Sequence, residues 1–410
     1  MIKPQWVHLK NKLLFIHYGG GIGGAPISML QLVSLLDKKK YEPIIVFTSS
    51  GPIVDLAISK GFKTKVVPLK SAFFYSDHVR IRFRMLYKLI INYKSTIMSM
   101  INLIKKEKPD IIYLNTSVII PVAIGVKKEN IPLLWHIRET PGPNKFIRKW
   151  QIGLIKKLAD RAIVTSDYVA GIYGESKGFH TIHNAVDLER FDIDTNKARK
   201  EIRSEFEIPL GSPVICMIGS VQEVKGHFLL VQAARKIVKS KPEVRFLIIA
   251  GGVDGKYRKS WKGRVKSILG LPFDELEKMK RNVYKTGLGE YFIYTGYRQD
   301  IPELLSASDI VVFLSQKAEG FGRPLIEGMA MGKPVVATNI GPSREILGKE
   351  SGVLVPVGDV NKTADAVLRL IDNPKICKEM GNNGRQRVEE HFDLKRHVSA
   401  IQKCIDQTIS

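Results

Sequence analysis

Cysteine is scarce: the 410-residue chain holds three, Cys216, Cys377 and Cys404. They are an odd number, far apart, with no Cys-x-x-Cys pair, so neither a disulfide framework nor a zinc site is expected and a cytoplasmic location is. Long hydrophobic runs are also missing. The first apolar run, Leu13 to Tyr18, is too short for the core of a signal peptide, and the longest stretch, Ile111 to Val126, is broken by Asn115, Thr116, Ser117 and Pro121. Neither approaches the roughly 20 residues that a spanning helix needs, so a membrane is expected to matter only as a surface. Acidic residues are the third shortage, 40 against 64 Lys+Arg, a net charge of +24. The imbalance is concentrated in residues 1–190, whose 29 basic and 13 acidic residues give +16 and leave +8 for the remainder. A field of that sign favours an anionic partner without naming it.

What is present is alternation. Short Ile- and Val-rich runs (Lys12 to Tyr18, Pro43 to Thr48, Asp110 to Leu114, Pro132 to Ile137, Arg161 to Ser166) are each followed by a stretch of helical spacing. The pattern restarts after residue 210 with Pro213 to Gly219, Val244 to Ala250, Tyr291 to Thr295, Asp309 to Leu314 and Pro334 to Asn339. This predicts an α/β protein of two doubly wound halves, 1–190 and 191–384, with a stretch from about 385 returning to the first half. Ligands of such sheets sit beyond the carboxyl ends of the strands, so the following loops, and a cleft between the halves, are where chemistry is sought.

Residues 78–108 predict an amphipathic helix. Leu86, Leu89, Ile90, Tyr93, Ile97, Met100, Ile101 and Ile104 share one face, and Arg80, Arg84, Lys88, Lys94 and Lys105 the other. Two readings stand: a core-packed helix with a solvated basic face, or docking onto anionic headgroups. Lys145, Arg148, Lys149, Lys156 and Lys157 around Trp150 make a second basic patch, at 145–157, that favours the latter.

Gly19, Gly21 and Gly24 fit the Gly-x-Gly-x-x-Gly dinucleotide pattern, but the second strand ends Phe47-Thr48-Ser49-Ser50 with no acid for a ribose. The glycines then serve a tight turn or a close backbone approach by a phosphate. More informative is Ser315 to Ala337, SQKAEGFGRPLIEGMAMGKPVVA. There a loop carries Glu319, Pro324 opens a helix, and Glu327 lies in its first turns. Two carboxylates bracketing glycine-exposed amides suit a ligand with hydroxyls at both ends and an anion in the middle, such as a nucleotide sugar. Asp192-Ile193-Asp194 imitates an Asp-x-Asp metal motif, but it falls in a polar linker and no metal is expected.

These residues resemble the retaining glycosyltransferases of family 4, whose GT-B fold has two facing Rossmann-like domains. The Glu-x7-Glu element EGFGRPLIE is joined by Gly23-Gly24-Ala25, His136, Thr165-Ser166-Asp167, His183 to Asp187, and Gly219 to Gly226, so the resemblance runs from about residue 12 to 390. It implies a C-terminal donor domain and an N-terminal acceptor domain. Glu327 would hold the ribose, Glu319 the transferred sugar, and Gly320, Phe321 and Gly322 the distal part of the donor. Lys225 would hold the diphosphate in place of a divalent ion, beside Ser220, where many relatives carry Arg, with Arg323 as a substitute. Tyr297 and Arg298 would border the base, Gly23 and Gly24 the diphosphate, and His136 would face the sugar. The expected partners are a nucleotide-sugar donor, a glycan or lipid-linked acceptor and an anionic membrane surface, with no cofactor and no nucleic acid. A nucleotide-sugar 2-epimerase, or a basic membrane- or nucleic-acid-binding protein without turnover, is the alternative.

Overall fold

The computed structural model describes residues 10–73, 83–174, 178–251 and 274–410. The chain divides into two compact units, one made of residues up to Ala185 together with Leu394–Ser410, the other of Val186–Asp393.

The first unit is built on a parallel sheet of seven strands: β1 (Asn11–His17), β2 (Tyr41–Phe47), β3 (Thr64–Val66), β4 (Ile111–Leu114), β5 (Leu133–Ile137), β6 (Arg161–Val164) and β7 (Phe179–Thr181). Their order is β3-β2-β1-β4-β5-β6-β7. The strands read as unbroken apolar runs because helices cover both faces, so both sets of alternate residues are buried. One face carries Leu14, Ile16, Ile112 and Trp135, the other Leu13, Phe15, Tyr113 and Leu134. The helix Leu394–Ile409 closes the second face with Val398, Ile401 and Ile405. It is pinned there by Tyr41 Oη donating to Asp406 at 2.5 Å and Arg161 Nε donating to the Gln407 carbonyl at 3.0 Å. Arg385, earlier in the chain, is still held in the second unit through the Ala330 carbonyl at 2.7 Å.

The second unit repeats the plan with β8 (Val214–Ile218), β9 (Arg245–Ile249), β10 (Phe292–Tyr294), β11 (Ile310–Phe313), β12 (Val335–Thr338) and β13 (Gly352–Val355), ordered β10-β9-β8-β11-β12-β13 and parallel. In each sheet the order reverses between the first and fourth strands, β1 and β4 in one unit, β8 and β11 in the other. Crossovers leave on opposite faces at that point and open a crevice at the carboxyl ends, so the loops after β1, β4, β8 and β11 are the sites that the topology provides.

The segment expected to be one amphipathic helix is two among the described residues, Phe83–Ile91 and Tyr93–Glu107, separated at Asn92. The second buries Ile97, Met100, Ile101 and Ile104, as a core-packed helix does. The first leaves Ile90 74% exposed and Tyr87 and Ile91 exposed as well. Arg80 and the side chain of Arg84 lie outside the described residues.

Candidate functional site

In the second unit, β8 runs into Gly219, Ser220 and a single 3-10 turn, Glu223–Lys225, before Gly226 starts the helix His227–Ser240. The neighbouring β11 runs into Ser315, Glu319 and the glycine-flanked Phe321 before Gly322 starts the helix Arg323–Ala330. Neither helix has a side-chain cap, so at both starts the backbone amides point outward without an acceptor from the capping residue. The two loops are stitched together by Gln316 N donating to the Val224 carbonyl at 2.7 Å and Ser315 Oγ donating to the same carbonyl at 3.2 Å.

That stitching sets Lys225 Nζ 2.6 Å from Glu319 Oε2. Glu319 Oε1 accepts from Ser315 Oγ at 3.0 Å, and Thr338 Oγ1 fixes Ser315 in turn through its carbonyl at 2.6 Å. Glu327 is 9% exposed and takes the Arg323 guanidinium on Oε1, at 3.2 Å from Nε and 3.0 Å from Nη2. Its Oε2 has no hydrogen bond among the described residues and is the oxygen left to accept from a ligand. The arrangement offers one ammonium, two open helix starts and two fixed carboxylates, a set that binds a diphosphate with hydroxyl-bearing groups on either side.

Around this core the other sequence-derived residues fall unevenly. Ser220 is exposed and takes a hydrogen bond from Gln222 Nε2 at 3.1 Å. Tyr297 is exposed, whereas Arg298 is committed to Asp300 Oδ1 at 2.8 Å and to Glu205, and lies over the Phe206 ring. Asp194 caps the helix Thr195–Glu205, its Oδ1 accepting from the Asn196 and Lys197 amides, which explains that half of Asp-x-Asp without a metal. His227, not singled out by sequence, is buried at the start of its helix.

In the first unit the glycine loop divides in its duties. A Cβ on Gly20 would stand 2.3 Å from the Ser50 carbonyl oxygen, so Gly20 is required by the close pass of two loops. Gly21 has nothing within 4 Å of such a Cβ, and Gly23 meets only Pro26 at 3.8 Å. Gly21 and Gly23 therefore border open space, and Gly24 is exposed at the uncapped start of the helix Gly24–Leu35. The expectation for His136 is corrected. The residue is in β5, not after it, and alternation puts its ring on the same face as Leu134, toward the helix Leu394–Ile409 and His397. The ring is fully buried, accepts from Tyr113 Oη on Nδ1, and burial holds its pKa well below the usual value, so it presents no surface to a sugar.

Sequence reasoning missed Arg138, two residues on. Its buried guanidinium donates to Asn115 Oδ1 at 2.7 Å, Asn184 Oδ1 at 2.7 Å and Ser28 Oγ at 3.2 Å, while Asn115 Nδ2 holds the Ala25 carbonyl at 3.1 Å. Arg138 thus sets a fixed positive charge beneath the glycine-loop helix. The neighbouring Glu139 is itself fixed by Thr116 Oγ1 at 2.6 Å and Ser117 Oγ at 2.8 Å. The strand-end position of these residues, on the loops after β4 and β5, was the signal available.

Burial lowers the pKa of His17 and of His227 to about 4. Unfolding returns both toward about 6.5, so below that pH the unfolded chain takes up protons that the folded one refuses. Stability is therefore expected to be full above about pH 6.5 and to decline toward about pH 4, by on the order of 3 kcal/mol for each ring. Urea unfolding across that window checks it, and a flat or rising stability on acidification would refute the assignment.

Comparison with known proteins places these units. The profile described as Glycosyl transferases group 1 matches residues 198–387, and that described as Glycosyltransferase Family 4 matches residues 22–190. An Escherichia coli UDP-Gal:alpha-D-GlcNAc-diphosphoundecaprenol alpha-1,3-galactosyltransferase is 24% identical, covering 98% of this chain and 99% of its own length. The lipopolysaccharide core biosynthesis mannosyltransferase LpsB of Rhizobium meliloti is 28% identical, over 62% of this chain and 66% of its own length. Among solved structures, Anabaena Alr3699/HepE in complex with UDP and glucose superposes with a TM-score of 0.77 at 19% identity, covering 97% of this chain and 99% of that one.

Proposed function

The chain belongs to glycosyltransferase family 4 and has the GT-B fold, and from that premise we propose that it moves a sugar from a nucleoside diphosphate, with uridine as the base, to a hydroxyl of a lipid-linked glycan, keeping the anomeric configuration. The observation that carries the reading is the Lys225–Glu319 pair at 2.6 Å between two uncapped helix starts.

In the proposed reaction the bond between the sugar C1 and the β-phosphate oxygen breaks, its electron pair staying on the phosphate. The acceptor oxygen bonds to C1 from the same face, and its proton passes to the departing phosphate. Negative charge grows on the diphosphate as this happens, and Lys225 with the open amides of His227 and Phe228 meets it without reorganising. Glu319 accepts from the sugar hydroxyls and Glu327 Oε2 from the ribose. No divalent ion is needed in this scheme, since the fixed cation and the helix starts supply the positive field. A panel of UDP-, GDP- and ADP-sugars, assayed for free nucleoside diphosphate with and without EDTA, tests it. Release from a UDP-sugar that survives EDTA is expected; interconversion of sugars without release would favour an epimerase instead.

The acceptor reading rests on the surface of the first unit and on the undecaprenol-linked substrate in the name of the Escherichia coli relative. Among the described residues no helix is long and apolar enough to cross a membrane. The helix Lys145–Leu158 instead leaves Phe146 85% exposed and Trp150 half exposed among Lys145, Arg148 and Lys149. Trp150 packs edge-on against Phe73 with ring centroids 5.4 Å apart, and Ser71 Oγ, two residues away, holds the Leu89 carbonyl at 2.8 Å. The exposed Ile90 and Ile91 thus neighbour the Trp150 patch, and apolar tips set in a basic field match an anionic bilayer surface. Co-sedimentation with vesicles containing anionic lipid is expected to exceed that with neutral vesicles by at least about tenfold and to be lost on reversing Lys145, Arg148 and Lys149. Equal binding to both would remove the membrane from the proposal.

A further inference from the structure

The second sheet has another end. Before β8, β11 and β12 begin, the chain passes through Ser212, Asp309 and Lys333, and with the first turn of the helix Pro374–His391 these segments line a cavity of about 370 Å³. Lys225 and Glu319 follow the same strands at their carboxyl ends, so the length of a five-residue strand, roughly 16 Å, separates the two places.

Charge is out of balance around this cavity. Arg199 Nη2 lies 2.8 Å from Asp309 Oδ1, and Arg203 Nη2 lies 3.1 Å from Asp309 Oδ2. Asp309 also accepts from the Val214 amide at 2.8 Å, so its oxygens are fully engaged. Arg203 is 0% exposed, its remaining donors spent on the carbonyls of Ala307, Pro209, Leu210 and Ser212. Lys333, on the cavity wall, has one acceptor among the described residues, the Ser306 carbonyl at 3.3 Å. Arg199 and Arg203 thus pair with one carboxylate while Lys333 stands on the same wall, an excess of two positive charges among these four side chains, with Arg203 fully buried and Arg199 and Asp309 about a third exposed. Burial first, then repulsion from Arg199 and Arg203, pulls the Lys333 pKa down to about 8 against the attraction of Asp309. Buried charge without a counter-charge is costly, and it is relieved when an anion enters from solution. The helix Pro374–His391 adds its positive end at the same wall, with no side-chain cap to consume it.

We propose that this cavity, framed by Arg199, Lys333 and Lys378, is a second anion site that takes a phosphate group, distinct from the place of Lys225 and Glu319. Free phosphate and the phosphoryl end of a small metabolite share the required chemistry, and the volume has room for either.

The test uses the full chain carrying Lys225→Ala, which silences the proposed donor site. Phosphate is expected to raise its thermal midpoint by roughly 3 °C over sodium chloride of equal ionic strength. Adding Lys333→Met, which removes the charge at similar volume, should abolish the rise. Should that variant fail to fold, Lys378→Gln at the exposed wall carries the test and should at least halve the rise. A larger rise with glucose 6-phosphate than with phosphate assigns the site to a phosphorylated metabolite, and equal rises assign it to the free ion. No rise in the Lys225→Ala chain, or a rise untouched by both second substitutions, overturns the proposal.

Discussion

Lys225→Ala is expected to lower turnover of the donor by about three orders of magnitude while weakening donor binding far less. The asymmetry follows from when the charge appears. A bound nucleotide sugar already carries its diphosphate charge, which helix amides can hold, but the extra charge of the leaving group develops only as the glycosidic bond breaks. A cation fixed within hydrogen-bond reach acts on that increment, so its removal falls on kcat more than on KM. Glu319→Ala should cost a comparable factor, because the carboxylate both holds the sugar and fixes Lys225 from 2.6 Å. The double substitution should then cost little more than either single one, as expected of two groups that act as a unit. Both variants need a thermal midpoint near that of the parent for the comparison to hold. Turnover within tenfold of the parent for Lys225→Ala would remove the ammonium from the mechanism.

How much of this was visible in the sequence depended on burial. Strands covered on both faces announce themselves as apolar runs, and β1, β4, β5, β8, β11 and β12 did. Of the three strands not anticipated, β3 and β7 are short, partly buried edge strands with no apolar run to betray them, and β13, although it reads Gly-Val-Leu-Val, is likewise an edge strand partly buried along most of its length. Charge density misled in another way. The stretch around residues 187–210 reads as a polar linker, yet it contains the helix Thr195–Glu205, anchored by an arginine with no exposed surface. Sequence cannot show that Arg203 finds the Ala307 carbonyl and Asp309 roughly a hundred residues later, because those partners are assembled only by the fold. His136 failed for a simpler reason: family resemblance placed it at a strand end, but the alternation through Leu134 already assigned it to the inner face. Glu319, Glu327 and Lys225 stand out in the sequence because glycines and helix starts mark their loops, while the approach of Lys225 to Glu319 is made only when β8 and β11 lie side by side.

That same approach makes Gly226 the second position of large effect. Its φ of +84° lies in the left-handed region, and a Cβ there would sit 1.9 Å from the Leu314 carbonyl oxygen. The contact is with backbone at the end of β11, so no side chain can swing aside to relieve it. Gly226→Ala must instead push the Glu223–Lys225 turn off the β11 loop and break the bonds that Val224 O receives from Gln316 N and Ser315 Oγ. A loss of at least about 3 kcal/mol in urea-unfolding free energy is expected, from strain together with the lost bonds. Whatever fraction folds should be as inactive as Lys225→Ala, since the ammonium is carried by the turn that moves. Gly21→Ala supplies the contrast: its Cβ meets nothing within 4 Å, and stability should stay within about 0.5 kcal/mol of the parent. If Gly226→Ala instead cost less than about 1 kcal/mol and kept its turnover, the turn would not be what holds Lys225 against Glu319, and the close approach of the β8 and β11 loops would lose its role in the site.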